Sequence, residues 1–159
     1  MSSGSSYTTV LVGTDGSDSS FRAVDRAAAV ARDSDGTLLL LTAYRPMSPR
    51  EIADAKSHLG DEAYKVTGST PAEDVLRDAT DRAKAIGAKT IKTLAVEGDP
   101  VDALVHAVAE NGVDLVVVGN RGLNSLAGRL LGSVPANITH KAQCDVLIVH
   151  TTGKGVSSA

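Results

Sequence analysis

Five short strand-like runs, separated by stretches with helical spacing, constrain this chain more than any other feature. They are Tyr7–Gly13 (YTTVLVG), Thr37–Tyr44 (TLLLLTAY), Ala88–Val96 (AKTIKTLAV), Val113–Gly119 (VDLVVVG) and Cys144–His150 (CDVLIVH). Continuous apolar runs such as Thr37–Tyr44 fit strands buried on both faces, as in parallel sheets. Between the first two, Phe21, Val24, Ala27, Ala28 and Ala31 recur at helical spacing, and Gly36 sits where a helix stop belongs. Further on, Thr70, Pro71 and Glu73 read as N-cap, first helical residue and capping-box partner, with Val75, Ala79, Ala83 and Ile86 as the apolar face and Gly87 as the stop. Asp99 and Pro100 open another helix, with Val101, Leu104, Val105 and Val108 turned inward, and a last helix starts at about Ser133. The alternation predicts an α/β fold. It is a single-domain, open, parallel five-stranded sheet with helices on both faces, Rossmann-like, in the order 3-2-1-4-5. That order reverses direction between strands one and four, so a ligand crevice is expected between their carboxyl ends.

Residues 1–6 read as a flexible arm, 7–150 as one ligand-binding domain, and 151–159 as a flexible tail. Within the domain, 45–69 is a polar stretch that breaks the rhythm, although SPREIADAKSHLGDEA carries a weaker helical pattern. A chain of 159 residues is long enough to bury a core. Its net charge of −3 argues against a nucleic-acid partner. No apolar run approaches the roughly 18 residues of a membrane helix, and the polar MSSGSSY start is unlike a secretory signal. With one cysteine, Cys144, there is no intramolecular disulfide, and a reducing, cytoplasmic setting is expected.

The fourth run leads into GNRGLNSLAGRLLGSVP, Gly119–Pro135. Its glycines stand as G-x2-G-x9-G-S: Gly119, Gly122 and Gly132, followed by Ser133. Glycine lets the backbone come close to a ligand and turn through positive φ. The helix beginning at Ser133 starts with N–H groups that lack internal partners, and these favour an anion together with the helix dipole. Ser133 adds a hydroxyl, Val134 a backbone N–H, and Pro135 fits a first turn where its missing N–H is spare. One glycine here would be an ordinary loop residue. Three at this spacing, after a buried strand and before a helix, point to phosphate. Neither a Walker loop with its lysine nor a G-x-G-x-x-G fingerprint is present. Asp15 stands at the end of the first run, facing the same crevice. A carboxylate there repels phosphate but accepts hydrogen bonds from an adenine amino group or a ribose hydroxyl. Asp18 is expected to be the N-cap of the first helix.

VEGDPVDALVHAVAENGVDLVVVGNRG, LLGSV and CDVLIVH, with TTVLVGTDGSDSS and GTLLLLTAY upstream, resemble the universal stress protein family over nearly the whole chain; Arg45–Ser69 matches least. That family has members that bind ATP and members that do not, and the binding class is similar to this chain in carrying G-x2-G-x9-G-[S/T]. The resemblance implies a nucleotide site. Asp15 would face adenine or ribose, and Ala43 would offer its backbone to adenine. Gly119, Asn120, Arg121 and Gly122 would wrap ribose and phosphates, Gly132, Ser133 and Val134 would bind phosphate, and Gly13 and Thr14 would line the floor. Asn120 stands where serine is common, so phosphate contacts would differ there. The resemblance further implies ATP, AMP or cyclic AMP as ligand, Mg2+ accompanying ATP, and a homodimer paired along Cys144–His150.

Three function classes remain open on sequence. One is a sensor or carrier that holds an adenine nucleotide with little or no hydrolysis. Another is a slow ATPase or an adenylyl-transfer, ATP pyrophosphatase-like enzyme, echoed by DGSDSS, where Asp15 would stand against pyrophosphate. The third is an interaction module with incidental nucleotide binding. The loops offer no general base and only Arg121 and Arg129 as cations, so no catalytic set is expected and holding is favoured over cleaving. His58, His106, His140 and His150 lack metal-ligand spacing, so no metal site is expected. Cys144 reads as a small buried residue with no base beside it.

Overall fold

A computed structural model describes residues 6–45, 50, 69–120 and 133–151. Within them the elements are β1 (Thr9–Gly13), α1 (Asp18–Ser34), β2 (Thr37–Tyr44), α2 (Ser69–Ile86), β3 (Thr90–Glu97), α3 (Pro100–Asn111), β4 (Leu115–Gly119), α4 (Ser133–Lys141) and β5 (Asp145–Val149). The strands form one sheet in the order β3-β2-β1-β4-β5. All four pairings are parallel. The expected fold class is the observed one.

Side chains on successive strand residues point to opposite faces, and this divides the core in two. Val10, Val12, Leu38, Leu40, Leu115 and Val117 face α1 and α2. Leu11, Leu39, Leu41, Val116 and Val118 face α3 and α4. On the first face α1 meets the sheet through Ala23, Val24, Ala27, Ala28 and Ala31, all essentially inaccessible. At the edge, β3 carries Lys92 among its exposed residues, a charge that discourages further strand addition.

The observed element ends and buried faces differ from the local sequence signals in four places. Ser17, not Asp18, caps α1: its hydroxyl accepts the Ser20 N–H at 3.1 Å, and Asp18 becomes the first helical residue, where its charge suits the dipole. Asp35, not Gly36, takes the left-handed conformation ending α1, with φ 55°. Gly36 is needed for space instead, since a Cβ there would lie 2.6 Å from the Tyr7 carbonyl oxygen and 2.8 Å from that of Thr8. Helix α2 already includes Ser69, so Thr70 and Pro71 lie in its first turn rather than at cap and first position. Its buried face is Ala72, Leu76, Ala79 and Ala83, with Val75 only half-buried. At α3 the reading holds: Asp99 accepts the Asp102 N–H at 3.1 Å, and Pro100 follows. The weaker helical pattern within 45–69 falls outside the described residues apart from Arg50.

Candidate functional site

Pairing between β1 and β4 runs from Val10 opposite Leu115 to Val12 opposite Val117. Pairing of β1 with β2 goes one step further, to Gly13 opposite Leu41. Pairing of β4 with β5 continues to Gly119 opposite Val149. The two halves of the sheet therefore part company at their carboxyl ends, between β1 and β4. This is the topological switch point, where chain connections leave in opposite directions and open a crevice.

One wall of the crevice is the β1–α1 turn. Gly13 ends β1 in the sheet, and Thr14 follows fully buried, its N–H donating to the Leu41 carbonyl at 2.9 Å. The Thr14 hydroxyl accepts the Gly16 N–H at 3.1 Å and lies 2.7 Å from the Ser20 hydroxyl. Ser20 donates to the Ser17 carbonyl at 3.0 Å, so Thr14 is the donor in the Thr14–Ser20 pair. Ser20 Oγ also accepts the Asp15 N–H at 3.3 Å. One buried hydroxyl, six residues beyond Thr14, thus sets the backbone on which Asp15 stands. Asp15 itself is half-buried, and its Oδ1 accepts the Ser17 N–H at 3.0 Å, which fixes the carboxylate's orientation. Beneath the turn, the Val75 side chain of α2 packs against Gly16.

The other wall begins at Gly119 and Asn120. The Asn120 N–H donates to the Val149 carbonyl at 2.8 Å, continuing the β4–β5 ladder past the end of β4. Its side-chain Oδ1 accepts two bonds from Thr151, from the backbone N–H at 2.8 Å and from the hydroxyl at 3.0 Å. Gly119 is close to the same residue: a Cβ there would meet the Thr151 methyl at 3.1 Å. Thr151, assigned by the sequence to the tail, is 3% exposed and belongs to the folded body. Ala43 is half-buried near the end of β2, opposite Val96. Gly13, Thr14, Asp15, Gly119 and Asn120 are thereby gathered at one end of the sheet, and helix α4 begins at Ser133 as expected. Arg121, Gly122 and Gly132 lie outside the described residues, as do the side chains of Ser133 and Val134.

The universal stress protein family matches this chain over residues 6–150. The chain belongs to the universal stress protein family. Universal stress protein Rv1636 of Mycobacterium tuberculosis is 55% identical over 148 residues, covering 93% of this chain and 99% of that protein. Universal stress protein YxiE of Bacillus subtilis is 30% identical over 148 residues, covering 90% of this chain and 99% of its own. Among solved structures, a universal stress protein in complex with cAMP superposes with a TM-score of 0.72 at 49% identity, covering 93% of this chain and all of that one.

In this universal stress protein a second concavity competes with the crevice. A cavity of about 520 Å³ lies between β3 and α3, floored by Leu94, Val96, Ala103 and Ala107. Its polar groups, including Glu97, Asp102, His106 and Glu110, are exposed rim residues. None of them is held in place by a buried network like that under Asp15, and the cavity contains none of the sequence-derived site residues. The crevice is therefore the better candidate. Among the described residues no cluster of His, Cys, Asp or Glu is arranged to hold a metal, and no helix is long and apolar enough to cross a membrane. Cys144 is half-buried, and burial, with Asp145 and Asp114 nearby, pushes its thiol up from the usual range, which disfavours the nucleophilic thiolate. Sequence reasoning missed Ser19, Ser20 and Thr151. Serines just inside a helix and a threonine after a strand have no local pattern that marks them; their partners are supplied by the fold.

Proposed function

We propose that this chain holds an adenine nucleotide in the crevice between the carboxyl ends of β1 and β4, acting as a sensor or carrier with little or no hydrolysis. The observation that carries this is the parting of β1 from β4 beyond Val12 and Val117, with Asp15 on one wall and Gly119 and Asn120 on the other. The relative solved with cAMP, at 49% identity, supports an adenine nucleotide as the ligand. On this reading Asp15 receives hydrogen bonds from the adenosine side, and Ala43 offers its backbone to adenine. Asn120, Arg121 and Gly122 surround the ribose and phosphate. Gly132, Ser133 and Val134 present N–H and hydroxyl donors where α4 begins. The Thr14 hydroxyl is committed to Gly16 and Ser20, so Gly13 and Thr14 supply the floor through backbone and shape.

The chemistry favours a single phosphate. A triphosphate carries more charge than a few N–H donors and an arginine offset, and lysine and Mg2+ normally make up the difference. ATP would enter with Mg2+. Calorimetric titration with cAMP, AMP and Mg2+-ATP tests the reading. We expect the monophosphates to bind at least as tightly as ATP. ATP binding far more tightly than both would overturn the single-phosphate reading, and no binding of any of the three would overturn nucleotide holding itself.

The same reading places the protein in the cytoplasm as a homodimer joined along β5. Val146, Leu147 and Ile148 are half-exposed on that edge strand, and an apolar edge is a liability unless covered. Sedimentation should give twice the 16.3 kDa chain mass, and a concentration-independent monomer would refute the pairing.

A further inference from the structure

We infer that Thr151 is a positioning residue of the nucleotide site, the bridge in a Ser19–Thr151–Asn120 clasp that holds the two walls of the crevice at a fixed separation. This rests on the nucleotide-holding reading above and names a device within the same site.

The clasp is directional. Thr151 donates its hydroxyl proton to Asn120 Oδ1 at 3.0 Å. The Ser19 and Thr151 hydroxyl oxygens lie 2.5 Å apart, so with the Thr151 proton already placed, Ser19 is the donor to Thr151. The Thr151 N–H also donates to Asn120 Oδ1, at 2.8 Å, which fixes that atom as the amide oxygen. The Thr151 carbonyl accepts from the Arg22 guanidinium at 2.9 Å. Every polar group of Thr151 is thus paired, all four bonds reaching side chains 31, 129 or 132 positions away.

The consequence is geometric. Ser19 and Arg22 lie in the first turns of α1, directly after the turn that carries Asp15. Asn120 directly follows Gly119 at the start of the glycine loop. No backbone ladder joins β1 to β4 beyond Val12 and Val117. Thr151 supplies the connection the sheet gives up there. Chains of hydroxyl and amide bonds in a buried setting strengthen one another. The Thr151 methyl fills the space that a side chain at position 119 would need, since a Cβ there would lie 3.1 Å from it. A ligand that spans both walls meets a preset gap and need not order it on binding.

The test compares Thr151→Val, which keeps the shape and removes the hydroxyl, with Thr151→Ser, which keeps the hydroxyl, and with Ser19→Ala. Each full-length protein is titrated with cAMP, and its unfolding midpoint is measured without nucleotide. Thr151→Val and Ser19→Ala should weaken cAMP binding by about tenfold, as expected for one lost buried hydrogen bond, while Thr151→Ser stays near wild type. A merely structural role would lower the midpoint and leave affinity unchanged, and that result overturns the proposal. The exchange rate of the Asn120 backbone N–H, read by NMR without nucleotide, judges the clasp separately. Faster exchange in Thr151→Val and Ser19→Ala supports it, and unchanged exchange overturns it. Failure of the wild type to bind cAMP would therefore fall on the nucleotide reading, with the clasp still decided by exchange.

Discussion

Ser20→Ala is the most informative single substitution outside the ligand-facing residues. It removes one oxygen atom that serves three bonds: from Thr14 at 2.7 Å, to the Ser17 carbonyl at 3.0 Å and from the Asp15 N–H at 3.3 Å. Ser20 is 6% exposed and Thr14 fully buried, so water does not replace the lost acceptor. The Thr14 hydroxyl proton is left without its partner. A buried donor stranded in this way costs about 1–3 kcal/mol. The Asp15 bond is long and adds little, so about 2 kcal/mol is the expected total, or roughly 4–8 °C in unfolding midpoint for a domain of this size. Urea denaturation of wild type, Ser20→Ala, Thr14→Val and the double variant checks it. Because the two hydroxyls are partners, Thr14→Val should cost less in the Ser20→Ala background than in the wild type, leaving a coupling of about 1 kcal/mol. A loss below about 0.5 kcal/mol for Ser20→Ala, or strictly additive single effects, would refute the network.

Two further outcomes follow from the same geometry. Gly36→Ala places a methyl 2.6 and 2.8 Å from the backbone oxygens of Tyr7 and Thr8, atoms that cannot swing aside, so it should destabilise by about 1–3 kcal/mol in the same urea experiment; a neutral effect would show that β1 and the end of α1 are not pressed together there. Cys144, with its thiol raised by burial and by Asp145, should be alkylated by iodoacetamide more slowly than free cysteine at mildly alkaline pH, and its rate should keep climbing at pH values where free cysteine has levelled off; equal or faster alkylation would contradict the burial.

The fold was legible because two periods alternate without conflict. Apolar runs such as Thr37–Tyr44 read as strands, and the spacing of Val24, Ala27, Ala28 and Ala31 reads as a helix. Boundaries were less legible where neighbours compete. Ser17 and Asp18 are both good caps, and only the Ser20 N–H bond decides between them. Val75 and Leu76 are both apolar, and the phase of α2 decides which is buried. Gly36 stands beside the helix end, but the demand on it comes from Tyr7 and Thr8, about 28 residues earlier in the chain. Of the candidate site, Asp15, Gly119 and Asn120 draw notice in the sequence since loops at strand ends carry the unusual residues. Ser20 and Thr151 do not. Their roles are to hold other residues in place, and Thr151 meets Ser19 across 132 positions of sequence.

The central claim is that the β1–β4 crevice holds the nucleotide. Backbone amide shifts of the labelled protein, followed as cAMP is added to saturation, test it most directly. The account predicts that Gly13, Asp15, Gly119 and Asn120 move, while Leu94, Ala103, His106 and Ala107 around the β3–α3 cavity stay still. Shifts confined to the β3–α3 group, or none at all, would contradict it.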